Sequence, residues 1–205
     1  KKNDAKVLVG YNRRFFSSVE KAKEIIKEDG GVTSFYFEFT EWSHIIGTLK
    51  KGDGVLEEWF LHNSSHIIDL AFYLGGKPKE LASYVSGNLQ WHPNGSVFTG
   101  AGVAESGALF SYNANWEAPG RWVVEVLTRK HRLLFKPIEK LQIQKIGSVA
   151  VDFVEIDDKN DTEFKPGLYL QVKNYLEEDY SKLSDIHEQL SNVENYYNKI
   201  VKGSK

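Results

Sequence analysis

The sequence predicts an α+β fold, a mostly antiparallel open sheet with helices packed on one face. Two observations carry this prediction. Beyond Pro78 the chain breaks into short segments of strand character, about 80–89, 96–104, 107–116, 121–129, 131–136, 139–146 and 150–157. Several are joined by turns as tight as Glu105-Ser106-Gly107, which suits antiparallel neighbours rather than crossovers. Helical periodicity, by contrast, is confined to the start, one central segment and the end. At 205 residues and 41% hydrophobic, the chain can bury one core, and residues 1–205 read as a single domain.

Taken in order, Lys6-Val7-Leu8-Val9-Gly10-Tyr11 reads as a short buried strand, with Asn12, Arg13 and Arg14 leaving its carboxyl end together. Ser17 and Glu20 have capping-box spacing ahead of a helix that runs to about Glu28, where Gly30-Gly31 stops it. Phe35, Phe37 and Phe39 alternate with Tyr36, Glu38 and Thr40 at the period of a half-buried strand. Ser43 to Glu58 has no sustained period and reads as an exposed loop over a site, with His44 facing substrate or solvent. A central helix follows from about Trp59 or Asn63 to Leu74, and Gly75-Gly76-Lys77-Pro78 ends it. After the meander, Pro166-Gly167 opens a helix to about Tyr180. Asp185 caps a last one, with Ile186, Leu190, Val193, Tyr197 and Ile200 on its inner face. Tyr84, Phe98, Phe110, Tyr112, Trp116 and Trp122 are too many aromatics for the few helices to cover. A homodimer or higher oligomer through the open sheet face is therefore expected.

Lys plus Arg total 26 against 28 for Asp plus Glu, so no global field draws the chain to nucleic acid or anionic lipid. No apolar run approaches the roughly 20 residues of a membrane span and no signal-peptide pattern is present, so the chain reads as cytoplasmic. With no cysteine, thiolate catalysis and cysteine metal sites are excluded. The absence of methionine, position 1 included, suggests a fragment.

His66 is the most informative residue, an ionisable ring inside an apolar helical segment. If that segment is helical throughout, His62, His66 and Asp69 stack on one face. Three readings stand side by side. His62 and His66 have the spacing of helical zinc ligands, although Asn63 sits where a zincin has its Glu. His66 can be a core histidine hydrogen-bonded to Asp69 or a carbonyl. It can also take a proton from a substrate hydroxyl, which suits its unperturbed pKa near ~6.5. No glycine-rich turn follows a strand, so any nucleotide is bound elsewhere. Arg13 and Arg14 are solvated charges or, at a strand's carboxyl end, a clamp for a carboxylate or phosphate. Trp91-His92-Pro93-Asn94-Gly95 reads as a hairpin turn, and His131 and His187 as exposed histidines without partners.

Val7-Leu8-Val9-Gly10-Tyr11-Asn12-Arg13-Arg14-Phe15, Asn63-Ser64-Ser65-His66-Ile67-Ile68-Asp69-Leu70 with Leu74-Gly75-Gly76, and Lys165-Pro166-Gly167 before a helix occur in that order over nearly the whole chain. Together they resemble the carboxy-terminal substrate domain of the glucose-fructose oxidoreductase / inositol dehydrogenase (Gfo/Idh/MocA) family. The resemblance implies a substrate-binding and oligomerisation domain whose amino-terminal dinucleotide-binding partner is absent from this chain. It implies NAD or NADP held mainly by that other domain, a sugar or polyol substrate, and an isolated fragment without activity. By the same resemblance His66 is the acid/base, and Arg13 lies at the mouth of the substrate pocket near the nicotinamide. His62 or Asn63 would be the polar partner at the substrate, with Asn12 and His44 also lining it. Two departures put substrate identity in question: His62 stands where the family often has Asp or Asn, and the usual glycine cluster before the helix is missing. The rival expectations are a non-catalytic sugar-binding or assembly module, and a metal-dependent hydrolase built on His62, His66 and Asp69.

Overall fold

The computed structural model describes residues 5–204. A short strand β1 (Leu8–Val9) and a tight turn over Asn12–Phe15 lead into helix α1 (Ser17–Glu28) and strand β2 (Ser34–Glu38). One helical turn, α2 (Ser43–Ile46), precedes a wide π-helical turn over Phe60–Ser64 that runs straight into α3 (Ser65–Gly75). Strands β3 (Pro78–Ser86), β4 (Val97–Ala104), β5 (Leu109–Asn115), β6 (Val123–Leu127), β7 (His131–Phe135), β8 (Gln142–Lys145) and β9 (Asp152–Phe153) follow. The chain closes with α4 (Lys159–Glu163), α5 (Leu168–Leu176), β10 (Ser184–Asp185), α6 (Ile186–Asn192), a second π-helical stretch over Val193–Tyr197, and α7 (Asn198–Lys202).

The fold is α+β, as the meander and the sparse helices predict. Strands β2 to β9 form one sheet in the order β3-β4-β5-β2-β6-β7-β8-β9. Only β2 and β5 run parallel, so the earliest long strand is inserted between two halves of the later meander. Its period of two sets the register: Phe35 lies beside Phe110 and Phe37 beside Tyr112, with ring centroids 5.2 Å apart in both pairs. Phe72 of α3 caps this row edge-on, 5.4 Å from Phe37 and 5.3 Å from Phe110. The last residue of α3 touches the same row, since a Cβ on Gly75 would lie 2.3 Å from the Phe35 ring. The core is a single cluster that unites α1, α3, the sheet and the C-terminal helix.

Several expectations are corrected. Phe98, Phe110, Tyr112, Trp116 and Trp122 are buried in the chain's own core, and of the six aromatics only Tyr84 is exposed. The opposite face carries small and polar residues such as Thr99, Ala101, Ser111 and Asn113, so it is not an aromatic surface in need of a cover. The opening strand is shorter and less buried than its apolar run suggests. It pairs with β10 instead of joining the large sheet, and Val7 is exposed. Ser17 does not cap α1, because a distant carboxylate takes over: the Ser17 backbone N–H donates to Asp161 Oδ2 at 2.8 Å. Asp185 does cap the last helix, accepting from the Glu188 N–H at 2.7 Å. There the π-helical stretch widens a turn and shifts the buried face. Ile186 and Leu190 are exposed, whereas Tyr196, Tyr197, Ile200 and Val201 are buried. His131 is not partnerless: its Nδ1 lies 2.7 Å from Asp29 Oδ2 at the end of α1. Among the described residues no helix is long and apolar enough to cross a membrane.

Candidate functional site

The carboxyl end of β2, the turn after β1, the amino end of α3 and the approach to β6 converge on one region. The continuation of β2 supplies Glu41 and Trp42, the turn supplies Tyr11 to Arg14, α3 supplies His66, and Arg121 and Trp122 come just before β6. The Lys165-Pro166-Gly167 turn closes it from the C-terminal side. Asn12 Nδ2 donates to Pro166 O at 2.9 Å, and Gly167 takes a positive φ of 71° where a Cβ would sit 2.0 Å from Asn12 O. Glycine is required there because both the backbone angle and the contact exclude a side chain.

His66 is partly buried, with the Tyr11 ring edge-on at a centroid distance of 5.1 Å. Its Nδ1 is sealed from solvent and makes no hydrogen bond among the described residues. Burial, followed by the positive charges of Arg13 and Lys165, lowers its pKa to about 4. The imidazole is therefore neutral at pH 7 and carries a lone pair.

The stacking of His62, His66 and Asp69 on one helix face does not occur. The π-helical turn is the first reason: the Ser65 N–H reaches back five residues to Phe60 O, which breaks the four-residue spacing, and His62 points to solvent. The second is Arg14, which forms a bidentate pair with Asp69 at 2.8 Å through Nε and 2.5 Å through Nη2. Both partners are buried. Burial opposes the guanidinium's charge, but Asp69 more than restores it and raises the Arg14 pKa. Asp69 is thus the counter-ion of Arg14 and not the orienter of His66. Among the described residues no group of three His, Asp or Glu side chains gathers as a metal site.

Asn63 turns to a residue the sequence did not single out. Its Nδ2 donates to Glu41 Oε1 at 2.9 Å, alongside Ser64 Oγ at 2.8 Å and Trp122 Nε1 at 3.3 Å. Arg121 Nη1 reaches the other oxygen at 3.2 Å. Burial raises the Glu41 pKa despite these four donors. Glu41 is the hub that fixes the amino end of α3 against the approach to β6. His44 is exposed on α2.

Arg13 lies over the Trp122 indole, its guanidinium carbon 4.5 Å from the ring centroid. Burial is the main cause that brings its pKa down to about 10. It opens onto a cavity of about 370 Å³ shared with Arg121, Lys136 and Glu139. The structure therefore brings Arg13, Asn12, Asn63 and His66 to one region and leaves His62 and His44 in solvent. It adds Glu41, Arg121 and Trp122, which are linked across distant parts of the chain that no local motif connects, and it places Tyr11 and Lys165, both in the resembling segments, near His66.

Among the described residues no glycine-rich turn opens a helix, and the amino end of α1 is closed by the Asp161 carboxylate, which repels phosphate. The described residues present a neutral imidazole at His66 and the Arg13 guanidinium on the cavity beside Trp122.

No family model matches the chain, and no curated protein matches it. Solved structures do. An inositol dehydrogenase homolog from Azotobacter vinelandii, complexed with NAD+, superposes with a TM-score of 0.72 at 14% identity, over 98% of this chain and 63% of that one. The WlbA dehydrogenase from Chromobacterium violaceum, in complex with NADH and UDP-GlcNAcA, gives 0.66 at 18% identity over 98% and 60%. A levoglucosan dehydrogenase complexed with NADH and levoglucosan gives 0.55 at 22% identity over 75% and 48%. The chain therefore has the fold found in these sugar dehydrogenases and spans about half to two thirds of their length.

Proposed function

We propose that this chain is the substrate-binding half of an NAD(P)-dependent oxidoreductase acting on a sugar, polyol or sugar derivative. It works in the cytoplasm, joined to a dinucleotide-binding domain. The observation that carries this reading is His66, a neutral imidazole edge-on to Tyr11 and near enough to Arg13 and Lys165 for their charges to add to burial in lowering its pKa. The fold shared with sugar dehydrogenases supports it, and so does the fraction of their length that the chain spans. The exposed apolar strip of Val7, Val172, Tyr175 and Leu176 beside the half-paired strand β1 offers a surface for the second domain.

In this reading His66 accepts the proton of a substrate hydroxyl, or returns it in the opposite direction. A bound nicotinamide supplies the hydride acceptor or donor. Arg13 holds the substrate against the imidazole, and Glu41 positions Asn63 and Trp122 without touching the reacting atoms.

The test is turnover of NAD(P) with a panel of sugars and polyols by the protein that carries this chain next to its nicotinamide domain. His66→Asn should lower kcat by about 10²-fold or more, the usual scale of general acid–base catalysis, with cofactor affinity retained. Full activity of the variant removes His66 from the chemistry. Two cations beside His66 weaken it as a base, and this favours one other reading, a sugar-binding module without chemistry. Sugar binding without nicotinamide turnover across the panel would establish that module.

A further inference from the structure

The cavity beside Trp122 holds more cationic nitrogen than the fold uses. Arg13, Arg121 and Lys136 line it together with Trp122, Ile138 and Glu139 around about 370 Å³, within the size range of small-ligand sites. Both guanidinium carbons stand over the same indole, Arg13 at 4.5 Å and Arg121 at 4.6 Å from its centroid. Two like charges on one ring repel each other, and the neighbouring carboxylates only partly answer them. Glu41 takes a single nitrogen of Arg121 and otherwise serves Asn63, Ser64 and Trp122. Glu139 is exposed.

Arg13 is left wanting acceptors. Among the described residues its one hydrogen bond is a 3.4 Å contact from Nη1 to Asn12 Oδ1, and its Nε is shut off from solvent without a partner. A buried charged donor without an acceptor is costly. The planar forks of two arginines match the oxygens of a carboxylate or phosphate, which would supply the missing acceptors. Arg14 has its carboxylate, Asp69, inside the protein, whereas Arg13 faces an open cavity.

We propose that this cavity binds the carboxylate or phosphate of an acidic sugar derivative, held by Arg13 and Arg121 with Lys136 at the rim. The inference rests on the reading of the chain as a sugar-binding domain and narrows it from sugars in general to sugar acids and sugar phosphates. Arg13 lines this cavity and its charge also reaches His66, so the anion subsite would lie next to the proton-handling group.

The experiment titrates the full chain with glucuronate, glucose 6-phosphate and glucose, following tryptophan fluorescence and the heat of binding at low and high salt. At least one anion should bind about tenfold or more tightly than glucose, as a charge-assisted contact implies, with the margin shrinking in salt. Glucuronate alone identifies a carboxylate site, and glucose 6-phosphate alone a phosphate site. Arg121→Gln and Lys136→Gln replace exposed side chains, so circular dichroism should show an intact fold. Arg121→Gln should cut the anion-to-glucose affinity ratio about tenfold, and Lys136→Gln less. Equal binding of the three ligands, binding of none, or anion binding indifferent to both variants overturns the proposal. Turnover by the protein with its nicotinamide domain decides the underlying reading separately. Oxidation of neutral sugars with no preference for acids rejects the anion site and keeps the oxidoreductase. Acids that bind but are never oxidised keep the site and reject the oxidoreductase.

Discussion

Acidification should destabilise this chain through His66, and the size of the effect follows from the site. The imidazole is held near a pKa of about 4, against 6.5 when free, by burial and by the charges of Arg13 and Lys165. A histidine whose folded pKa is depressed stabilises the fold fully above its unfolded pKa. That contribution is lost as the pH falls toward the folded value, because the unfolded chain takes the proton first. At about 1.36 kcal/mol per pH unit the whole contribution is roughly 3 kcal/mol, of which roughly 2.5 kcal/mol is gone by about pH 4.5. Urea unfolding of the wild type and of His66→Gln from neutral pH to about pH 4.5 isolates this, since every other titrating group is common to both. The wild type should lose roughly 2.5 kcal/mol more than the variant. Parallel curves would refute a buried neutral imidazole. A wild type that gains relative to the variant in acid would mean that His66 is paired with a carboxylate, as its spacing to Asp69 suggests and the Arg14 pair denies.

Asp69→Ala should cost about 3–5 kcal/mol in urea unfolding, because it leaves the buried Arg14 guanidinium without its counter-ion. Replacing both partners with Met and Leu should recover most of that loss, and an Asp69→Ala cost below about 1 kcal/mol would contradict a buried pair. Gly167→Ala combines a positive φ of 71° with a clash against Asn12 O, so thermal unfolding should show a loss of at least about 1 kcal/mol. The same change should move Lys165 and let the His66 pKa rise, visible in its imidazole NMR signals. An unchanged signal would show that the turn does not hold Lys165 against His66.

The sheet was legible because its order is written in near neighbours. The alternation of Phe35, Phe37 and Phe39 announces one buried face, and the glycine-containing turns between later strands announce antiparallel pairing. Insertion of β2 between β5 and β6 was not legible, since nothing local in Ser34–Glu38 names Leu109 or Leu127 as its neighbours. The site divides along the same line. His66, Arg13 and Asn63 stand out as polar residues in apolar or turn contexts. Glu41 does not, because a carboxylate at the end of a strand looks like an exposed one until Trp122, 81 residues on, closes over it. Asp69 has a partner that local spacing does not name, for a related reason. Helical spacing gave it a histidine three residues away, while the fold gave it an arginine 55 residues away with two parallel hydrogen bonds. The π-helical turn compounds the error, since periodicity arguments assume 3.6 residues per turn throughout.

The anion cavity and His66 cannot be independent, because Arg13 belongs to both. It lines the cavity, and its charge is among the causes that hold the imidazole proton off. An anion bound to Arg13 screens that charge, so the His66 pKa should rise when an acidic sugar binds, and the imidazole becomes a better base when substrate is in place. Reciprocity then requires the anion to bind more tightly as the pH falls through the window between 6.5 and about 4, where the bound state takes up the proton. Both arms are measurable: His66 NMR titration with and without glucuronate or glucose 6-phosphate, and calorimetric affinity of the same ligand across that window. The coupling should vanish in His66→Gln while the affinity at neutral pH persists. If the His66 pKa is the same with and without a bound anion, the ligand does not sit on Arg13.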